Sequence, residues 1–204
     1  MKALLGKQQV KVGAVQFANY LIKIGACKEA KKWQIGKDFK AVWENCHSAE
    51  WLTWLFDKAQ LTTKHESVLL AIGFAESVQH LTEEPTSKAC LQAAKDWVEN
   101  PNEENMLKAY AAWAAAWAAA RVAGGNAASA AARAAARAAG SDVASDAASA
   151  AASTAASAVG IDVAWAADRA AARAAENLKN ANFIRETILF EDINERLYNK
   201  INGK

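Results

Sequence analysis

Apolar residues recur at helical spacing through the first half of the chain, and no stretch of alternating β-branched residues competes strongly except at the start of the segment 10–24. Apolar groups three and four positions apart give a helix one face that can be buried. The pattern predicts helices at roughly 8–24, 27–34, 38–46, 48–60, 63–81, 85–99 and 102–123, the first of which could begin as extended chain. Pro85 and Pro101 each stand near a predicted helix start, where proline is tolerated.

Residues 110–178 are very rich in alanine, the residue with the highest helix propensity. Glycines at 124–125 and 140 are followed directly by Asn126 and Ser141, and Gly160 is followed after Ile161 by Asp162, the order in which one helix ends and the next begins. This predicts helices to Ala123 and at 127–139, 142–159 and 162–179. A last helix at 181–200 carries large apolar residues and is expected to dock across the Ala-rich helices.

The predicted fold is therefore all-α, a multi-helix bundle of antiparallel helical hairpins with close-packed Ala-rich helices in the C-terminal half. Composition divides the chain into a mixed helical region, 1–109, and the Ala-rich hairpins with the docking helix, 110–204. The two regions are expected to form one continuous domain. Because alanine makes a lean core, a homodimer would add burial, and a dimer is possible.

The charge balance gives no sign of a polyanionic partner, since 24 basic and 22 acidic side chains leave a net charge of +2. Duplex DNA normally requires a clustered basic surface, so none is expected as a partner. Three cysteines without a CxxC pair predict reduced thiols in a cytoplasmic protein. No signal peptide is expected, and Arg, Asp and Ser interrupt the alanine tract, so no membrane span is expected either.

Catalytic and metal-binding patterns are missing from the sequence. Cys46 and His47 are adjacent, which separates their side chains on a helix and predicts a core cysteine beside a surface histidine. No His or Cys pair has the spacing of a zinc site, and no glycine-rich phosphate loop occurs. We expect no catalytic residues, no metal and no cofactor, and a protein that is not an enzyme.

The non-alanine residues of the Ala-rich tract follow a four-residue register, in which tryptophan precedes arginine on two predicted helices. Indole rings can stack on a base and guanidinium groups can fork onto phosphate, so the register could form a ligand face. It could equally be a solvated stripe with tryptophan as core filler, or anchors for a protein partner. The candidate ligand-binding residues are Trp113, Trp117, Arg121, Arg133, Arg137, Trp165, Arg169 and Arg173.

A second aromatic cluster lies in the first half of the chain. It consists of Trp43, Trp51, Trp54, Leu55 and Phe56. Trp51 and Leu55 are one helical turn apart, which predicts core packing, with an interface patch as the alternative.

Several segments resemble a family of Ala-rich bacterial and phage proteins described as toxin-immunity proteins. The resemblance runs over about residues 21–190 and is carried by GACKEA at 25–30, AVWENC at 41–46, EWLTWL at 50–55, AAWAAAW at 111–117 and RAAAR at 133–137. Between 141 and 158 the tract departs from the family's Trp/Arg pattern toward Ser and Asp.

The resemblance implies a neutralising protein that acts by stoichiometric binding. An immunity protein would bind a toxin directly, whereas an anti-defence protein of a phage would sequester a nucleotide-derived immune signal. The Trp/Arg register favours the nucleotide. A structural or ice-binding role is a third hypothesis, and it is disfavoured because Thr154 is the single threonine of the tract.

Overall fold

The structure is a computed structural model. It describes residues 10–81, 85–123 and 166–203, with side chains for 10–80, 85–115 and 171–203. The described residues are all-helical and contain no strand, which confirms the predicted fold class. The α-helices are α1 Ala14–Lys23, α2 Lys28–Gln34, α3 Phe39–Asn45, α4 Ala49–Ala59, α5 Lys64–Ser77, α6 Pro85–Glu99, α7 Glu103–Ala123, α8 Ala166–Thr187 and α9 Phe190–Ile201, with a 3-10 turn at Gln79–Leu81.

Side-chain caps fix where several helices begin. The Asp38 carboxylate accepts from the Ala41 N–H at the start of α3, and the Ser48 hydroxyl accepts from the Trp51 N–H at the start of α4. Thr63 and Glu66 form a capping box at the start of α5. Each cap satisfies a backbone donor that has no partner inside the helix, so the sequence places these boundaries within a residue or two.

The chain divides into two compact units. We call the described residues 10–46 and 188–203 the N-terminal unit and the described residues from 47 to 187 the central unit. The predicted boundary near Tyr110 lies inside α7. The change in composition and the division into compact units therefore fall at different points of the chain.

The N-terminal unit packs α1, α2, α3 and α9 around aromatic side chains. Phe39 lies 5.3 Å from Phe17 and 5.9 Å from Phe190 between ring centroids. Residues 10–13 precede α1 and are not helical, and Gly13 has extended backbone with φ −72° and ψ 163°. We call residues 10–13 the extended segment. The Phe39 N–H donates to the carbonyl of Val12 at 3.2 Å and holds this extended segment against α3.

The central unit packs α6 on α7, and α8 on both α4 and α5. Gly73 of α5 lets α8 approach closely, because a Cβ added there would lie 2.1 Å from the Phe183 ring. Phe183 in turn packs edge-on against Phe74 with centroids 6.1 Å apart. This packing is consistent with the predicted helical bundle, whereas the antiparallel arrangement of the hairpins stays a prediction.

The prediction of a single last helix at 181–200 is wrong. The segment is the end of α8 and the whole of α9, separated at Ile188 and Leu189. Ile188 is buried, and Leu189 begins α9 with extended backbone and no side-chain cap. Its second half belongs to the N-terminal unit, and the expected docking across the Ala-rich helices stays a prediction.

The predicted helices 127–139 and 142–159, with their flanking glycine breaks, lie outside the described residues. Within the described ranges, no helix combines the length and apolar character that a membrane crossing requires.

Candidate ligand-binding site

One face of α8 carries polar side chains where this helix packs on α4 and α5. Arg173 and Asn177 continue the four-residue register of the alanine tract, and Glu176 and Asn180 flank them. Asn177 is 9% exposed and Asn180 is 1% exposed. We call Arg173, Glu176, Asn177 and Asn180 the α8 polar face.

Arg173 lies at the solvent-accessible end of this face. Its Nη2 donates to Oε1 of Glu50 at 2.8 Å, and the two side chains are 48% and 27% exposed. Ser48 caps α4 and so fixes Glu50 in the first turn, where the helix dipole favours a carboxylate. An ion pair this exposed contributes roughly 0–1 kcal/mol, so an anionic ligand could replace Glu50 at small cost.

The buried end of the face contains polar atoms without partners. Among the described residues, no hydrogen bond reaches Asn177 Oδ1, Asn180 Nδ2, Glu176 Oε1 or Gln79 Nε2. Leaving a buried donor or acceptor unpaired costs about 1–3 kcal/mol. The four atoms comprise two acceptors and two donors, which is the mixture that a polar ligand with both kinds of group would satisfy.

One contact places the end of α5 beside this face. Lys179 Nζ donates to the Ser77 carbonyl at 3.4 Å and lies 3.9 Å from Oε2 of Glu176. Gln79 follows Ser77 by two residues. Gln79 Nε2 therefore belongs to a residue two positions from the one that Lys179 of α8 contacts.

Aromatic rings lie next to Glu50 in the chain. The rings of His47 and Trp51 are 5.9 Å apart and tilted by 54°. His47 is exposed and Cys46 is buried, as the sequence predicts. In the predicted aromatic cluster, Trp43, Leu55 and Phe56 are core residues, while Trp51 and Trp54 are half-buried.

Trp113 takes part in the packing of α6 on α7. It is half-buried and packs with Ala112 against Cys90, whose thiol donates to the Ala112 carbonyl at 3.2 Å. The described contacts of Trp113 and of Arg173 involve different helices, so they do not bring the two predicted residues together.

The remaining predicted ligand residues cannot be placed as side chains. Trp117 and Arg121 lie in α7 and Arg169 lies in α8, but their side chains are outside the described set. Arg133, Arg137 and Trp165 lie outside the described residues altogether. Sequence reasoning missed Glu50, Gln79, Asn177 and Asn180. Asn177 could have been found, because it is the next member of the register after Arg173.

A concave surface lies in the N-terminal unit. It encloses about 1030 Å³ between the extended segment at residues 10–12, α3 and α9. Its lining residues are Val10, Lys11, Val12, Lys40, Trp43, Glu44, Phe190, Glu191, Asn194 and Glu195. We call it the α3–α9 groove.

Hydrogen bonds and an ion pair hold this groove together. Asn194 Nδ2 donates to the Val10 carbonyl at 2.7 Å and joins α9 to the extended segment. Lys11 Nζ lies 3.1 Å from Asp38. The Ala41 N–H, and after it Lys11, stabilise the carboxylate and lower the pKa of Asp38.

Among the residues that the structure describes, no group of three or more His, Cys, Asp or Glu side chains could hold a metal ion. No protein-family model, curated protein or solved structure matches the chain. The resemblance to the toxin-immunity proteins therefore depends on the sequence segments alone.

Proposed function

We propose that this chain is a non-catalytic, cytoplasmic binding protein that sequesters a nucleotide-type ligand on the α8 polar face. The observation that carries the proposal is a set of three buried polar atoms, Glu176 Oε1, Asn177 Oδ1 and Asn180 Nδ2, which have no partner among the described residues and lie on the helix face that carries Arg173. Structures rarely leave such groups unpaired, and an orphaned group has a cost that a bound ligand would remove.

The arrangement matches the two chemical ends of a nucleotide. Arg173 would leave Glu50 for the phosphate, because guanidinium binds phosphate in a bidentate fashion. Asn177 and Asn180 would receive the base edge, since a carboxamide pairs well with a purine that offers a donor and an acceptor. Seven residues of helix separate Arg173 from Asn180, about 10 Å along the axis, which is comparable to the span from phosphate to base edge.

This ligand class also agrees with the Trp/Arg register and with the anti-defence branch of the family resemblance. Stoichiometric sequestration needs no catalytic group. A homodimer would double the number of sites, and its formation belongs to the same proposal.

The test is a thermal-shift screen with linear and cyclic nucleotides and ADP-ribose derivatives. A nucleotide present at 100 times its Kd should stabilise the protein by about 2.7 kcal/mol. The double substitution of Arg169 and Arg173 by alanine should abolish that shift without unfolding the protein. Arg185→Ala is the matched control, because Arg185 lies further along α8 and donates to Asn182.

The double variant contradicts the proposal if it binds a nucleotide as tightly as the unchanged protein. A screen in which no nucleotide raises the melting temperature would also contradict it.

A second candidate function is direct binding of a toxin protein, as an immunity protein would do. The observation that favours it is the α3–α9 groove, where the half-buried Phe190 is an aromatic residue of the kind enriched at protein interfaces. This version predicts a tight protein complex that nucleotides do not affect, and copurification with the toxin is its test.

A further inference from the structure

The three unpaired atoms of the α8 polar face belong to side chains that are neighbours within one helical turn. They are Glu176 Oε1, Asn177 Oδ1 and Asn180 Nδ2, and among the described residues none of them has a hydrogen-bond partner. Asn180 follows Glu176 by four residues and Asn177 by three. Residues at these spacings lie side by side on a helix, with Cβ atoms roughly 5–6 Å apart, so one ligand group can face all three atoms.

These atoms determine which hydrogen-bonding groups a ligand must offer. The Glu176 and Asn177 atoms are oxygens that accept, whereas the Asn180 atom is an amide nitrogen that donates. Asn177 is 9% exposed, Asn180 is 1% exposed and the Glu176 side chain is 11% exposed, so water reaches them poorly. A ligand that leaves no buried group unpaired must therefore bring two donors and one acceptor.

Among the nucleic-acid bases, guanine offers this combination on its Watson–Crick edge. Its N1–H and N2–H groups donate and its O6 accepts, in one row along the edge. Adenine offers one donor and one acceptor on the same edge, and cytosine and uracil each offer one donor and two acceptors. Any base except guanine would therefore leave at least one buried oxygen of α8 without a donor, which weakens binding.

We propose that the α8 polar face selects guanine as the base of its nucleotide ligand. Glu176 and Asn177 accept from N1–H and N2–H, and the Asn180 amide donates to O6. Arg173, one helical turn before Asn177, remains the group that binds the phosphate. The inference rests on the proposed nucleotide function and adds the identity of the base.

The test is isothermal titration calorimetry of the full chain with GMP, IMP, AMP and CMP. All four carry the same 5′-phosphate, so differences in Kd report on the base edge. We expect GMP to bind at least about tenfold more tightly than each of the others, because a site that hydrogen-bonds a ligand N–H rejects the analogue that lacks it. IMP is the sharpest comparison, since it differs from GMP only in the missing N2 amino group.

The Glu176→Gln variant keeps the shape of one acceptor and removes its charge. It should weaken GMP binding by about fivefold or more, because hydrogen bonds to a charged acceptor are the stronger ones. Glu186→Gln is the matched control and should leave the Kd for GMP unchanged, because Glu186 is an exposed glutamate of the same helix. Circular dichroism measures whether both variants keep their helices, and the preference of the unchanged protein for GMP over IMP tests the proposal without any substitution.

The possible failures of the two proposals are distinguishable. If IMP, AMP or CMP binds as tightly as GMP, guanine is not selected, while the nucleotide proposal stands. If none of the four binds, the guanine proposal is overturned, and the thermal-shift screen decides the nucleotide proposal separately. Equal losses of GMP binding in Glu176→Gln and Glu186→Gln would also overturn the guanine proposal.

Discussion

The hydrogen bonding of buried side-chain amides differs between the two units of this chain. In the N-terminal unit, the Gln34 amide donates to the carbonyls of Ala14 and Lys37, and Asn194 donates to the carbonyl of Val10. In the central unit, Asn177 and Asn180 are equally buried, but each leaves a polar atom without a partner among the described residues.

This difference separates structural polar groups from groups suited to a ligand. A paired buried amide fixes the position of a chain segment, as Asn194 does for the extended residues before α1. A buried amide with an unpaired atom lowers stability, because its desolvation is not compensated by a hydrogen bond. The contrast also occurs within α8, because Ala181 and Ile184 follow the polar face and are fully buried apolar residues.

The largest expected effect concerns that apolar part of α8. Ile184→Ala should lower the free energy of unfolding by about 2–5 kcal/mol, because it leaves a cavity where a fully buried side chain was packed. Chemical denaturation measures the change. Leu178→Ala on the same helix is the control, since Leu178 is 48% exposed and should change stability by less than about 0.5 kcal/mol. Similar losses in the two variants would contradict the assignment of packing to this part of α8.

Replacing a buried asparagine by leucine should change the free energy of unfolding differently in the two units. Asn194→Leu should lower the free energy of unfolding by about 1–3 kcal/mol, because the Val10 carbonyl loses its donor. Asn180→Leu should be neutral or stabilising, because it replaces an unpaired amide by an apolar group of similar size. Thermal and chemical denaturation measure both, and a large loss of stability in Asn180→Leu would remove the basis of the comparison.

Much of the fold could be predicted from local sequence. Side-chain caps mark three helix starts in the sequence. They are formed by Thr63 with Glu66, by Asp38 and by Ser48, and the predicted boundaries near them agree with α5, α3 and α4. The break between α8 and α9 has no such local mark. No glycine or proline stands there, and apolar residues continue at helical spacing across it. The break is therefore a tertiary effect, with Ile188 buried and Leu189 exposed.

The candidate site was predictable only in part. The register leads from Arg173 to Asn177, so a polar face on α8 could be read from spacing. Gln79 and Glu50 could not be found in this way, because they belong to other elements of the chain, and the contact of Glu50 with Arg173 exists only in the folded structure. An unpaired atom is also a property of the folded structure, since it is defined by the surroundings of the side chain and not by its type.

Removing the hydrogen-bonded carboxylate of Asp38 in the N-terminal unit should lower the free energy of unfolding by a smaller amount, and that amount depends on pH. Asp38→Ala should cost about 0.5–2 kcal/mol at neutral pH, because α3 loses its cap. The folded protein lowers the pKa of Asp38, so the stabilisation is present above the unfolded pKa of about 3.9 and is lost as the pH falls through the folded value. The difference in melting temperature between Asp38→Ala and the unchanged protein should therefore shrink in acid. Asp38→Asn, which keeps a capping oxygen, should lose less at neutral pH.

The smallest expected effect on stability is that of Arg173→Ala. Its exposed pair with Glu50 should contribute less than about 1 kcal/mol. Nucleotide binding should nevertheless be lost, because the phosphate would lose its guanidinium partner. A variant that unfolds, or one that keeps full affinity, would show that Arg173 has a structural role in place of the proposed one.

The most direct test is to observe the side-chain amides themselves by NMR while the nucleotide with the largest thermal shift is added. We predict that the amide resonances of Asn177 and Asn180 move and exchange more slowly with water at saturation, while those of Gln34 and Asn194 keep their positions. If a nucleotide binds and the Asn177 and Asn180 resonances do not change, the α8 polar face is not the ligand site.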